Sequence, residues 1–376
     1  MTGSLEQLVD DLHGAGHTLE RATPREDDHA LLMVRTGSGA SVAGQWFADH
    51  DRAAHVATAT ARRPGAAPHV RRVGEGIILQ SGGADRRLPA LQDLATAPGA
   101  HVVAHRPERR GVVRHEADGH TVFTKVVRPG RAAGLLDMLT AVTAAGVSAP
   151  RVLGADETSV TTAALPGRTL HEALAAPDAD AGSLTRVGHA VGAVLRRLHA
   201  VPAPARVVVT HDGAAEIAVT RRWLELAQAY RALPRTSAEP LAMLARAESA
   251  LVPCARPVLL HRDLHDKQLL TAGDDVAILD LDLLAVGDPA LDLANLLVHL
   301  ELRAKQGLTA RALAHACAAG VLRGYRPTAV ERTTLLGYAL ATRLRLLAVY
   351  AFRPESTDAA TSVLDDPWEF HDERSG

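Results

Sequence analysis

Two short apolar runs, Val258–Leu260 and Val276–Leu281, flank a loop crowded with ionisable side chains, His261-Arg262-Asp263-Leu264-His265-Asp266-Lys267-Gln268. Apolar runs of this length, bounded by polar residues, read as strands. The ten residues between Gln268 and Leu279 contain the turn Gly273-Asp274-Asp275 and suit a hairpin. Such a hairpin brings Gln268 and Asp280 together at its open end, close to Asp263. Downstream, Gly287-Asp288-Pro289-Ala290 is a helix start, with Asp288 placed to cap the first turn.

The pattern changes character along the chain. His101–Arg106, Gly111–Ala117 and His120–Arg128 read as strands, with Asp118-Gly119 as a tight hairpin turn. Arg131–Ala145 has helical length, and Val152–Leu165 resumes strand character up to Pro166-Gly167. From Leu170 onward the chain reads as mainly helical. Leu184–His199 has a clear apolar face, Arg221–Leu233 and Pro240–Leu251 follow, and long helices run near 290–306, 309–324 and 329–352. The first hundred residues form a smaller mixed unit. It has a helix at Leu5–Leu12, strands at Ala30–Arg35, Ser41–Ala48 and Gly76–Gln80, and a helix at Leu88–Leu94. The tail from Asp365 is polar and acidic, and reads as loosely held.

Composition excludes several classes. At 376 residues the chain is long enough for two or three packed units. A net charge of −2 removes the electrostatic footprint of a nucleic-acid binder. No window approaches the roughly 18 apolar residues of a membrane span, and the N-terminus lacks the apolar core of a secretory signal. Cys254 and Cys317 are the only cysteines and lack metal-ligand spacing, so a reduced, cytoplasmic location is the default expectation. Positive charge is nearly all Arg. Of the three lysines, Lys125 stands within the apolar strand Thr121–Val127 and calls for a specific explanation.

An Asp on a tight loop, an amide five residues later and a second Asp ending a nearby strand suit phosphoryl transfer. That chemistry needs a carboxylate to orient an attacking hydroxyl and oxygen ligands to hold Mg²⁺ against phosphates. Asp263 fits the first role; Gln268 and Asp280 fit the second, with Asp282 two residues further on. In order along the chain, His261-x-Asp263, Gln268, the strand ending in Asp280 and Gly287-Asp288-Pro289-x-x-Asp292-Leu293-Ala294 resemble the aminoglycoside-phosphotransferase and choline-kinase superfamily. The likeness extends back through Leu195–His199 and Leu165-Pro166-Gly167, and covers about Gly99 to Phe352. Where the superfamily has Asn, this loop has Gln268. Its D-x-H-x-x-Q form is similar to actinobacterial maltokinases and glucosamine kinases, which also carry an N-terminal cap.

The resemblance implies an α+β, bilobal protein-kinase-like fold preceded by a small α/β cap. The expected units are a cap at 1–98, a sheet-rich nucleotide lobe at 99–168 and a helical lobe at 169–376. It implies ATP and Mg²⁺ as cofactors. Lys125 would sit on the ATP phosphates, and the hinge backbone at Ala164 and Leu165 on adenine. Asp137 is the only acid available to replace the usual helix Glu beside that lysine. Asp263 and His265 are the expected catalytic residues, although His265 serves equally well as a structural hydrogen-bonding residue, and His261 as a brace. The metal residues are Gln268, Asp280 and Asp282. The acceptor implied is a sugar or amino sugar, with an aminoglycoside as the rival. A catalytically silent nucleotide-binding protein is the rival from another class, supported by the missing helix Glu and the single glycine of Arg106–Gly111.

Overall fold

A computed structural model of the chain describes residues 4–204, 209–233 and 238–369. Two five-stranded antiparallel sheets come first, then a mainly helical region. In the N-terminal sheet the strands lie in the order Thr18–Glu26, His29–Arg35, Ser41–Phe47, Ile77–Gln80, Val70–Val73. The edge strand Thr18–Glu26 carries Glu20, Arg21, Pro24 and Arg25, so it shows no apolar alternation in the sequence. The helix His50–Ala61 is equally quiet in pattern, and begins where Asp49 accepts from Asp51 N and Arg52 N at 3.0 and 3.1 Å.

One face of this sheet packs Phe47 and Ile78 on Ala53, Val56 and Ala57 of the helix His50–Ala61, and the other face finds its core outside the N-terminal unit. Leu8, Leu12, Leu32, Trp46 and Ile77 pack in one cluster with Leu224, Tyr230, Leu344 and Phe352 from the helical region. Trp46 meets Tyr230 edge-on at 5.6 Å, and Tyr230 meets Phe352 at 5.5 Å. Hydrogen bonds of 2.9 Å run from Ala22 N to the Phe352 carbonyl, from Leu5 N to the Tyr230 carbonyl and from the Tyr230 hydroxyl to the Glu26 carbonyl.

The second sheet has the order His101–Arg106, Arg110–Ala117, His120–Val127, Ser159–Ala163, Val152–Ala155. Asp118 and Gly119 both have positive φ, 50° and 74°, as the two-residue hairpin turn requires. The expected single strand over 152–165 is two. Asp156 accepts from Thr158 N and Ser159 N at 2.7 Å each, and this Asx turn reverses the chain. The helix Pro89–Ala95 packs beneath this sheet through Leu88 and Leu91, against Val113 and Val126. A Cβ at Gly111 would run into Leu91.

Among the helices, Ala181–His199 and Arg311–Tyr325 meet backbone to backbone. A Cβ at Gly192 would strike the Val321 carbonyl, and one at Gly324 the His189 carbonyl. The helix Ala290–Lys305 is buried on nearly all sides and forms the centre of the region. The helix expected at 221–233 starts earlier, at Gly213, because Asp212 caps it through Ala215 N at 2.9 Å. The tail is held more firmly than its polarity predicts. Trp368 is buried, stacks on His315 at 3.8 Å and donates its backbone N–H to Glu301 at 2.9 Å. Asp366 meets Lys305 at 3.3 Å and Arg311 at 3.1 Å; Asp372 and Glu373 lie outside the described residues. Among the described residues no helix is long and apolar enough to cross a membrane.

Candidate active site

The expected hairpin forms: Leu269–Ala272 pairs with Asp275–Ile278, and Leu279 N donates to the Gln268 carbonyl at 2.8 Å across its open end. The loop before it is fixed by Asp292, a fully buried carboxylate. Asp292 accepts from His261 N at 2.7 Å, Arg262 N at 2.8 Å and His199 Nε2 at 3.0 Å. Burial alone would raise its pKa, but His199, His261 and these donors hold it below the ordinary value. His261 braces the loop by donating from Nε2 to the Leu279 carbonyl at 2.8 Å. Asp288 caps the central helix through Ala290 N at 2.9 Å. Two residues here adopt left-handed backbone, Arg262 at φ 70° and Asp280 at φ 55°. Each such conformation costs free energy and recurs at functional sites.

Asp280 and Asp282 meet the sheet directly. Lys125 Nζ lies 2.8 Å from Asp280 Oδ1 and 2.7 Å from Asp282 Oδ1. Arg110 reaches both carboxylates as well, at 3.1 Å for Asp280. Burial pushes the Asp280 carboxyl up, yet Lys125 and Arg110 outweigh it and hold the group well below the usual carboxylate range. Lys125 thus takes two carboxylate partners from the segment after the hairpin; Asp137 lies on the helix Ala132–Ala144. Arg110 carries no motif, so nothing in the sequence distinguished it from other arginines. It closes the tight hairpin Arg106–Arg110, whose Glu108 N donates to the buried Asp85 at 2.6 Å. At the hinge, Ala164 commits its N–H to the Thr121 carbonyl at 3.2 Å; Leu165 follows just before Pro166 and Gly167.

Gln268 lies at the hairpin mouth, its backbone carbonyl bonded to Leu279 N next to Asp280, and Asp282 follows within the 3₁₀ turn Leu281–Leu283. An all-oxygen donor set of two carboxylates and an amide, already countered by cations, fits a hard dication accompanied by phosphates.

On the other side of the loop, Asp263 and His265 line a cavity of about 380 Å³. The His265 Nδ1 accepts from Lys267 N at 3.2 Å, and its ring leans on His299 at 4.9 Å. Burial lowers the His265 pKa despite Asp263 and Asp266, which keeps the ring neutral near pH 7. Beneath it lies a network with no counterpart in the sequence reading. Buried Asp266 holds Arg303 bidentately at 2.8 and 2.9 Å and His171 Nδ1 at 2.6 Å. The cavity also receives Arg21 from the N-terminal edge strand and Trp223 from the helix Gly213–Ala229.

The sequence profile described as the phosphotransferase enzyme family matches residues 102–346. No curated protein sequence matches the chain. Among solved structures, an amicoumacin kinase in complex with AMP-PNP, Ca²⁺ and Ami is similar at 14% identity and a TM-score of 0.55, covering 73% of this chain and 92% of that one. A spectinomycin phosphotransferase in complex with ADP and spectinomycin is similar at 14% identity and 0.51, covering 71% and 89%. An ethanolamine kinase of Plasmodium vivax is similar at 9% identity and 0.51, covering 73% and 84%. These likenesses establish a bilobal protein-kinase-like fold, with an antiparallel sheet before a helical region.

Proposed function

The chain belongs to the phosphotransferase enzyme family, and on that premise we propose that it transfers the γ-phosphate of ATP to a hydroxyl of a small sugar or amino sugar. The observation that carries this reading is the convergence of Lys125 on Asp280 and Asp282, at 2.8 and 2.7 Å, beside Gln268 and one loop away from Asp263. ATP is favoured because the relatives named above include kinases bound to ADP and AMP-PNP.

Gln268, Asp280 and Asp282 would hold Mg²⁺, which when bound neutralises phosphate charge and orients the γ-phosphoryl group. Lys125 and Arg110, now on the aspartates, gain phosphate oxygens as additional partners and fix the nucleotide. Asp263 accepts a hydrogen bond from the acceptor hydroxyl and aligns its oxygen with phosphorus. As the acceptor O–P bond forms, the bond from phosphorus to the β-phosphate oxygen breaks and ADP departs. The hydroxyl proton passes to the Asp263 carboxylate. His265, neutral and packed on His299, shapes the wall of the acceptor cavity.

The test is incubation with Mg-ATP and a panel of sugars, amino sugars and aminoglycosides, reading phosphorylated product by mass. Asp263→Ala should lower turnover by about 10²-fold or more while ATP still binds. Product formed by that variant at full rate would overturn the assignment. ATP binding without product from any acceptor would favour the catalytically silent reading.

A further inference from the structure

The charge around Asp263 is the reverse of what a cationic acceptor needs. The described residues lining the cavity include two carboxylates, Glu216 and Asp263. Glu216 is already engaged by Arg345 at 3.1 Å and by His211 at 2.9 Å, which leaves Asp263. Among the cations, Arg303 is matched by Asp266. Arg21, Arg106, Arg262 and Lys267 also line the cavity, and no carboxylate of the described residues lies within ion-pair distance of any of them.

Some of these donors are buried, which sets them apart from solvated surface arginines. The Nε of Arg262 and the Nδ1 of His299 are buried without a hydrogen-bond partner, and His299 as a residue is only 8% exposed. An orphaned guanidinium N–H costs free energy unless a ligand meets it, and so does a buried imidazole nitrogen in either tautomer. Arg21 is half-buried, and burial together with Arg353 and Arg106 brings its guanidinium down to about 10. It is also held in place. Arg21 lies at a register shift in its strand, and the next residue, Ala22, is bonded to the Phe352 carbonyl at 2.9 Å. Bulges of this sort re-aim a side chain. The fold thus holds like charges together in one cavity, an arrangement that an incoming anion relieves.

We propose that the acceptor is itself an anion, a sugar-like alcohol bearing a phosphate or a carboxylate. Its anionic group sits against Arg21, Arg106 and Arg262 while its hydroxyl meets Asp263. This inference rests on the phosphotransfer reading above and narrows its acceptor class, away from amino sugars and aminoglycosides. The nucleotide uses a different cationic pair, Lys125 and Arg110 on Asp280 and Asp282.

Matched panels test it: hexoses and pentoses, their phosphates, their uronic acids, their 2-amino derivatives, and kanamycin, each with Mg-ATP. The anionic members should exceed their neutral parents in kcat/KM by about tenfold or more, and the phosphate and uronate arms identify which anion is used. Arg21→Gln should raise the acceptor KM by about tenfold and change the ATP KM less than about twofold. Arg21→Lys should keep most of the affinity. A second readout needs no acceptor: titration of the Mg-ADP-loaded enzyme with inorganic phosphate should show binding that Arg21→Gln weakens about tenfold. Preference for neutral or cationic acceptors overturns the inference but leaves phosphotransfer standing. So does a loss in Arg21→Gln that falls equally on ATP, or phosphate binding indifferent to Arg21. If instead no acceptor of any charge is phosphorylated, the phosphotransfer reading fails, and phosphate titration alone decides whether the anion site exists.

Discussion

Replacing Asp266 by Ala should be among the most damaging single changes outside the proposed catalytic residues. The carboxylate is fully buried and takes three donors, Arg303 Nε at 2.8 Å, Arg303 Nη2 at 2.9 Å and His171 Nδ1 at 2.6 Å. Removing it strands the Arg303 guanidinium, whose side chain is 5% exposed. Breaking a buried pair this way costs about 3–5 kcal/mol. Arg303 keeps Gln306 at 2.7 Å and the Tyr350 hydroxyl at 3.1 Å, which places the loss in the lower half, about 3–4 kcal/mol. With an unfolding entropy of about 2.1 cal/mol/K per residue, the 376-residue chain should lose about 4–5 °C in Tm.

The pH dependence follows from the sign of the shift. Burial would raise the Asp266 pKa, but His171 and Arg303 hold it well below the ordinary range. A depressed carboxylate contributes stability above its unfolded value of about 3.9, and that contribution is lost as pH falls through the folded value. The penalty of Asp266→Ala should therefore be flat from pH 8 to about 5 and shrink below about 4. The assay is urea unfolding followed by circular dichroism, on Asp266→Ala and on Asp266→Ala with Arg303→Met. The double variant, which removes the stranded charge, should recover at least half of the loss. A single-variant loss under about 1 kcal/mol, or a double variant no better than the single, would refute the buried-pair argument.

Two further outcomes are expected. Gly192→Leu should destabilise the helical region by about 3 kcal/mol or leave the chain insoluble, since its side chain would press on the Val321 carbonyl and Tyr325 N; a soluble variant with an unchanged urea midpoint would contradict the packing described. Burial holds His29 at about 4, His265 below its ordinary value and His299 well below it. Because these folded values lie under the unfolded value of about 6.5, the stability they carry is complete above pH 6.5 and lost as pH falls towards the folded values. Unfolding free energies at pH 7.5 and 5.5 should differ by about 1.4 kcal/mol from His29 alone, with His265 and His299 shifting stability in the same direction, and equal stabilities would count against neutral burial.

What the sequence revealed follows from how local each signal is. The loop from His261 to Gln268, its hairpin and the Asp288 cap are written in contiguous residues, so pattern and turn chemistry disclosed them. Lys125 was visible because lysine is rare here and its strand is apolar. The Asp266–Arg303 pair spans 37 residues, and each member looks like any other charged side chain until a helix turns it inward. Arg110 and Arg21 reach the site only through tertiary placement, one by a hairpin and the other by a bulged edge strand. The turn at Asp156 was hidden because its carboxylate replaces the glycine or proline that normally marks a reversal. Trp368 hid the anchoring of the tail behind its acidic neighbours.

The N-terminal sheet shares a core with the helical region, while Leu91 and Asp85 tie the same segment to the second sheet. The two lobes are in turn joined through Leu165-Pro166-Gly167. Three members connected pairwise make a closed linkage, and a closed linkage of rigid members has no free swing. A two-lobed clamp can gape about one pivot; this chain is braced like a triangle. Its cleft can widen only if a member bends or if one of the three joints lets go, and at the joint Gly167, with φ 109°, leaves no room for a Cβ beside the Thr271 carbonyl.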